Sequence, residues 1–144
     1  MKKIMTIKKN DRLIIDITGT TSDGYGVGKS DEGIAIFVPN SAVGDRVDVL
    51  IVKVLKRYCF GKVMKIIKPS EYRQEVDCKV FLKCGGCCYR HITYDAELKI
   101  KEQKVKDAIA RIAGLNVKIN SIVGADVPDN YRNKAQFPLA KNKD

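Results

Sequence analysis

Four of the five cysteines and the single histidine fall between Cys78 and His91, in the run Cys78-Lys79-Val80-Phe81-Leu82-Lys83-Cys84-Gly85-Gly86-Cys87-Cys88-Tyr89-Arg90-His91. Thiols with a packing role are usually scattered through apolar strands, whereas thiolates gathered at this density suit zinc or an iron–sulfur cluster. Gly85 and Gly86 lie between two of the thiols, where a backbone free to take positive φ can bend round an inorganic centre and aim its N–H groups at sulfur. A disulfide-stapled loop is the competing reading, and it is disfavoured because Met1 to Thr6 contain nothing like the apolar region of a secretory signal. A cytoplasmic location is the corresponding expectation.

Cys78, Cys84 and Cys87 give the spacing C-x5-C-x2-C, with Cys88, His91 and Cys59 as candidates for a fourth position. Cys88 adjoins Cys87 and points away from it in most backbone conformations, and Cys59 sits upstream in an apolar run. His91 would complete a Cys3His zinc site, which suits tetrahedral Zn²⁺. Zinc sites more often come as two close pairs, so a cluster that takes a fourth cysteine from farther along fits the spacing better. No cysteine lies between Arg90 and Asp144, and the chain reads as a piece of a longer one.

Lys and Arg number 27 against 17 Asp and Glu, a formal charge of +10. The surplus is shared: thirteen basic and seven acidic residues up to Pro69, fourteen and ten from Ser70 onward. A surplus spread along the chain suits an extended polyanion, and nucleic acid is the leading partner. No apolar run is long enough to cross a bilayer, so no membrane association is expected. A monomer is expected.

Along the first part, Arg12 to Thr18 alternates as a strand with Leu13, Ile15 and Ile17 on one face. Ser22 to Lys29 has glycine at Gly24, Gly26 and Gly28 and reads as a β–β connection. A dinucleotide-binding turn needs a helix after it, and here a strand follows, Gly33 to Val38. Arg46 to Lys56 and Tyr58 to Ile67 complete four or five short strands without a helix, which predicts a small OB-like barrel over residues 1–69. Lys53, Lys56, Arg57, Lys62, Lys65 and Lys68 put positive charge along the last two strands.

Pro69 to Glu75 is the candidate boundary to a second unit, 70–144, so the fold class is α+β. After His91, Leu98, Val105, Ile109 and Ile112 recur at helical spacing up to Gly114, predicting one amphipathic helix of about five turns that packs on the cysteine loop. Val117 to Val123 reads as a short strand, and Tyr131 to Leu139 as the start of another.

Two resemblances join these readings. Gly24-Tyr25-Gly26-Val27-Gly28, Ile36-Phe37-Val38-Pro39, Gly44-Asp45-Arg46-Val47 and Phe60-Gly61-Lys62-Val63 resemble the TRAM domain, a small barrel associated with RNA-modifying enzymes. Cys78, Cys84-Gly-Gly-Cys87, His91, Tyr94, Glu97-Leu98-Lys99 and Tyr131-Arg132-Asn133-Lys134 resemble the RNA 5-methyluridine methyltransferases. That resemblance implies an RNA-binding barrel, a [4Fe-4S] cluster held by Cys78, Cys84 and Cys87 with its fourth ligand beyond residue 144, and an S-adenosylmethionine-dependent catalytic domain also outside this chain. It therefore implies no catalytic or S-adenosylmethionine-binding residue here, and a fragment inactive alone. The ribosomal-RNA-acting subgroup looks closest, with transfer RNA as the second choice of substrate. Lys53, Lys56, Arg57, Lys62, Arg132 and Lys134 are the candidate RNA contacts. The alternative is a free-standing RNA-binding module with a Cys3His zinc site.

Overall fold

The computed structural model describes residues 6–134 together with Gln136, Leu139 and Lys141. Five strands, β1 (Arg12–Thr20), β2 (Gly26–Lys29), β3 (Ala35–Val38), β4 (Arg46–Val54) and β5 (Tyr58–Lys68), close into a barrel in the order β1-β2-β3-β5-β4. All pairings are antiparallel except β3 with β5. Period-two alternation sends one residue in two inward, and the buried set is Ile15 and Ile17, Ile36 and Val38, Val47, Val49 and Ile51, and Cys59, capped by Ile7 and Ile34. Cys59 is therefore a packing residue, and burial raises its thiol pKa, which keeps it protonated and unreactive.

The glycine-rich stretch is only partly a connection. Gly24, with φ of 83°, makes the turn, but Gly26 and Gly28 are the inward-facing positions of β2. A Cβ on Gly26 would stand 2.8 Å from Ile17 Cγ2, and one on Gly28 would stand 2.7 Å from the Asp16 carbonyl and 2.8 Å from Ile15 Cδ1. Small inner residues on this short strand let the wall close on the isoleucines opposite.

Beyond the barrel lie a single helical turn, α1 (Phe81–Cys84), and one long helix, α2 (Tyr94–Arg111). Thr93 caps α2 in an extended conformation, its hydroxyl accepting from the Ala96 N–H at 3.4 Å, and Asp95 and Glu97 occupy the positive end of the helix dipole. Glu97–Lys101, Glu102–Lys106 and Asp107–Arg111 pair along its outer faces. Gly114, φ 67°, takes the left-handed conformation just beyond it.

The predicted apolar stripe is not what packs this helix. Val105 is 49% and Ile112 87% exposed, so the stripe at Leu98, Val105, Ile109 and Ile112 does not bury itself in the cysteine loop. The buried contact is made instead by Ala96, on the Ala42–Ile92 cluster with Tyr72, Tyr89 and Ile100 around it. The helix of 18 residues is about 27 Å long, and its C-terminal half, largely exposed, lines a cleft with the β1 end rather than burying an apolar stripe. Lys104 Nζ reaches across to the Ser22 carbonyl at 3.0 Å, over a cleft of about 660 Å³. On the Leu98 side lies the chain after the helix: Tyr94 Oη accepts from the Ala125 N–H at 2.9 Å, and Leu98 and Tyr94 crowd Gly124. Val117 to Val123 forms no strand, and neither do Tyr131 to Lys134. Ala135, Phe137 and Pro138 of the second predicted strand, and the start of the chain at Met1 to Met5, lie outside the described residues.

Candidate functional site

The segment after the barrel is pinned to it through Asp45. This carboxylate is fully buried and accepts from the N–H groups of Ala42 at 2.6 Å and Ser70 at 2.8 Å, and from Arg73 Nε at 2.8 Å and Nη2 at 2.7 Å. Arg73 Nη2 also donates to the Asn40 carbonyl at 2.9 Å. Burial pushes the Asp45 pKa up, but the hydrogen bonds from Arg73, Ala42 and Ser70 outweigh it, and the net shift is downward. From Arg73 the chain runs alongside the end of the cysteine loop, with Gln74 N–H donating to the His91 carbonyl at 3.1 Å and Thr93 N–H to the Tyr72 carbonyl at 2.8 Å.

His91 is the second pin. Its Nε2 donates to the Ser41 carbonyl at 3.1 Å, which leaves Nδ1 a bare acceptor, buried without a hydrogen-bond partner among the described residues. Its ring packs against Phe81 of α1, centroids 5.9 Å apart, so one histidine ties the cysteine loop to the barrel. Arg90 next to it forms a two-toothed pair with Asp77, 2.8 and 2.6 Å, and a further pair with Asp129. Gly24 in the β1–β2 turn touches the other side of the loop, where an added Cβ would meet Cys88 Cβ at 2.9 Å and Tyr89 Cε1 at 3.2 Å.

Burial lowers the His91 pKa, with the Ser41 hydrogen bond opposing, Arg73 adding to the depression and Asp45 opposing it. A histidine whose folded pKa is depressed stabilises the fold in its neutral form. That contribution is complete above the unfolded value of about 6.5 and is lost as pH falls below it towards the folded value. Because His91 is the only histidine, the unfolding midpoint in urea is expected to drop between pH 7 and pH 5, and His91→Gln is expected to flatten that dependence. A wild-type midpoint that does not move over this range would rule out a buried neutral ring.

Cys78, Cys84, Cys87 and Cys88 are all exposed and unpaired. Gly85, with φ of 68°, turns the chain straight after α1, and nothing lies within 4 Å of where its Cβ would be. The donor set, three exposed thiols flanking a glycine turn, is one that a soft metal centre accepts. Among the described residues, however, no three His, Cys, Asp or Glu side chains converge closely enough to hold a metal ion. The engagement of His91 with Ser41, away from solvent, does not favour the Cys3His arrangement.

The candidate nucleic-acid contacts are also exposed. Lys53 lies on β4, Lys56 and Arg57 in the β4–β5 turn and Lys62 on β5, beside Lys65 and Lys68. They form a basic margin on one side of the barrel, while Arg132 and Lys134 lie on irregular chain after the helix and line a small surface hollow with Gln136. Asp45, Arg73 and Arg90, which hold the parts together, escaped the sequence reading. Asp45 stood there only within the Gly44-Asp45-Arg46-Val47 segment of the barrel resemblance, and nothing local marks a carboxylate whose partner is 28 residues away.

A closed five-stranded barrel with a basic margin, carrying a pinned cysteine loop and one long helix, defines the class. Residues 8–64 match the family model described as the TRAM domain, and the barrel is a TRAM domain. Over 143 residues the chain is 43% identical to an uncharacterized RNA methyltransferase of Clostridium tetani and 40% identical to one of Halalkalibacterium halodurans. Each match takes in 99% of this chain and 31% of the relative's length. Among solved structures, the Pyrococcus abyssi tRNA (uracil-54, C5)-methyltransferase in complex with S-adenosyl-L-homocysteine is 28% identical with a TM-score of 0.42, over 73% of this chain and 22% of that one. Over nearly its whole length the chain is thus a relative of proteins named RNA methyltransferases.

Proposed function

We propose that this chain is the RNA-holding part of an S-adenosylmethionine-dependent RNA (uracil-5-)-methyltransferase acting on ribosomal RNA. The observation that carries the proposal is similarity to RNA methyltransferases along 99% of the chain, coupled to a TRAM barrel whose last two strands expose a row of cations. The methyl transfer belongs to the longer protein. Carbon 5 of uracil is a poor nucleophile until a thiolate adds at carbon 6, and a group able to do that must be exposed and activated. Cys59 is neither.

In the same proposal Cys78, Cys84 and Cys87, on either side of the turn at Gly85, would be three ligands of a [4Fe-4S] cluster. The cluster would supply a rigid, thiolate-anchored centre for the loop. The residues of this chain do the rest: His91, with Phe81 against its ring, sets where the loop stands against the barrel, and so where RNA held by Lys53, Lys56, Arg57 and Lys62 passes it, while Arg90 ties the loop to Asp77 and Asp129. Arg132 and Lys134 extend the basic path beyond the helix.

Binding through phosphates displaces counterions, so affinity for single-stranded RNA should fall steeply with salt, with a slope of about 0.7 per phosphate neutralised. Replacing Lys53, Lys56 and Lys62 by glutamine together is expected to reduce that slope by about 2 in a fluorescence-anisotropy titration. Binding that is indifferent to salt, or a triple variant with the wild-type slope, would refute the assignment of this margin to RNA.

A further inference from the structure

Four aromatic side chains stand together on the outside of the barrel. The alternation that turns Ile36, Val38 and Cys59 inward turns Phe37, Tyr58 and Phe60 outward, and the parallel register sets Phe37 beside Phe60. Ring centroids are 5.0 Å apart for Phe37–Tyr58 and 5.7 Å for both Phe37–Phe60 and Tyr58–Phe60. Tyr25, from the β1–β2 turn, meets Phe60 edge-on at 6.3 Å and is 36% exposed. None of these rings belongs to the barrel core, and the other three are only half-buried.

A cation is steered to the same place by a defect in the sheet. Val47, Val49 and Ile51 point inward, and unbroken alternation would bury Lys53 as well. The register slips between Ile51 and Lys53, so that Val52 and Lys53 are exposed in succession and Lys53 pairs with Phe60 across the β4–β5 ladder. Arg57, also exposed, immediately precedes Tyr58. Clustered rings beside outward cations complement single-stranded RNA, whose bases present π-faces and whose phosphates present charge.

We propose that Tyr25, Phe37, Tyr58 and Phe60 form a base-stacking platform for unpaired nucleotides, with Lys53 and Arg57 holding the adjoining phosphates. The proposal rests on the RNA-binding reading above and deepens it: the basic margin supplies attraction, and the rings supply a preference for unstacked bases. The probe is a ten-nucleotide oligouridylate, compared with an abasic ribose–phosphate strand of the same length, against the wild-type chain and a Tyr25→Leu/Phe37→Leu variant that keeps apolar bulk without the rings. Wild type is expected to bind oligouridylate about tenfold or more tighter than the abasic strand. The variant should bind both alike, with the salt slope unchanged. The single Tyr25→Leu variant, at the most exposed ring, should show the same loss in part and keeps the test sound if the double variant misfolds.

Equal binding of the two strands by wild type overturns the platform and leaves the RNA reading standing. A folded variant that retains the full preference overturns it too. Failure of both strands to bind removes both readings. A wild-type dimer that the variant breaks would show that the rings are a self-association face, and would also overturn the platform.

Discussion

Replacing Arg73 by leucine is expected to cost about 3–5 kcal/mol of unfolding free energy near neutral pH, because it strips a fully buried carboxylate of its cationic partner while the carboxylate stays in place. Asp45 would keep the Ala42 and Ser70 N–H groups, but burial, the largest single influence on it, would lose its strongest opponent. The pH dependence distinguishes this from a simple packing loss. In the wild type the Asp45 pKa is depressed, so its contribution is present above the unfolded value of about 3.9 and is lost as pH falls through the folded one. In Arg73→Leu the carboxyl pKa should rise, and protonation would relieve the penalty, so the gap between variant and wild type should narrow from pH 7 towards pH 4.5. Urea denaturation at the two pH values provides the test. A loss below about 1 kcal/mol, or a gap that does not change with pH, would mean that the pair does not hold the cysteine-bearing segment on the barrel.

Gly61→Ala is the second change expected to have a large effect. Gly61 is an inward position on β5, and a Cβ there would run into Val49 Cγ1 and stand 3.3 Å from Ile36 Cγ2. Both neighbours are fully buried and sit on the two strands that flank β5, so neither can step aside cheaply. Overpacking of this kind costs about 1–3 kcal/mol, a fall of several degrees in Tm. Val49→Ala removes the atom in the way, so the double variant Gly61→Ala/Val49→Ala should be more stable than the two single losses added together. Strict additivity in thermal unfolding would mean that the barrel is not closed tightly at this point.

These two effects also separate what is legible in the chain from what is not. The strands were legible because burial on one face of a sheet imposes a period of two, and Ile15 and Ile17 or Val47, Val49 and Ile51 write that period directly. The five-strand barrel followed, since a short all-β unit has few other ways to hide its edges. The glycine stretch shows the limit of the method. Composition alone marked Gly26 and Gly28 as a loop, because glycine is as much at home where a neighbouring strand comes too close for a side chain as it is in a turn.

The sequence by itself determined the barrel strands, the helix that ends before Gly114, the basic margin and the crowding of thiols between Cys78 and His91, because each depends on residues near one another in the chain. Only the tertiary structure decided that Arg73 and His91 pin the cysteine loop, that the helix docks through Ala96 rather than its longer apolar stripe, and that a slipped register exposes Lys53 across from Phe60. These outcomes depend on partners 28 or 50 residues apart for the two pins and on a one-residue bulge for Lys53. The physical reason is that a buried charge, a lone ring nitrogen or a bulge is stable only when the closed barrel supplies its partner, and no local propensity encodes where that partner will be.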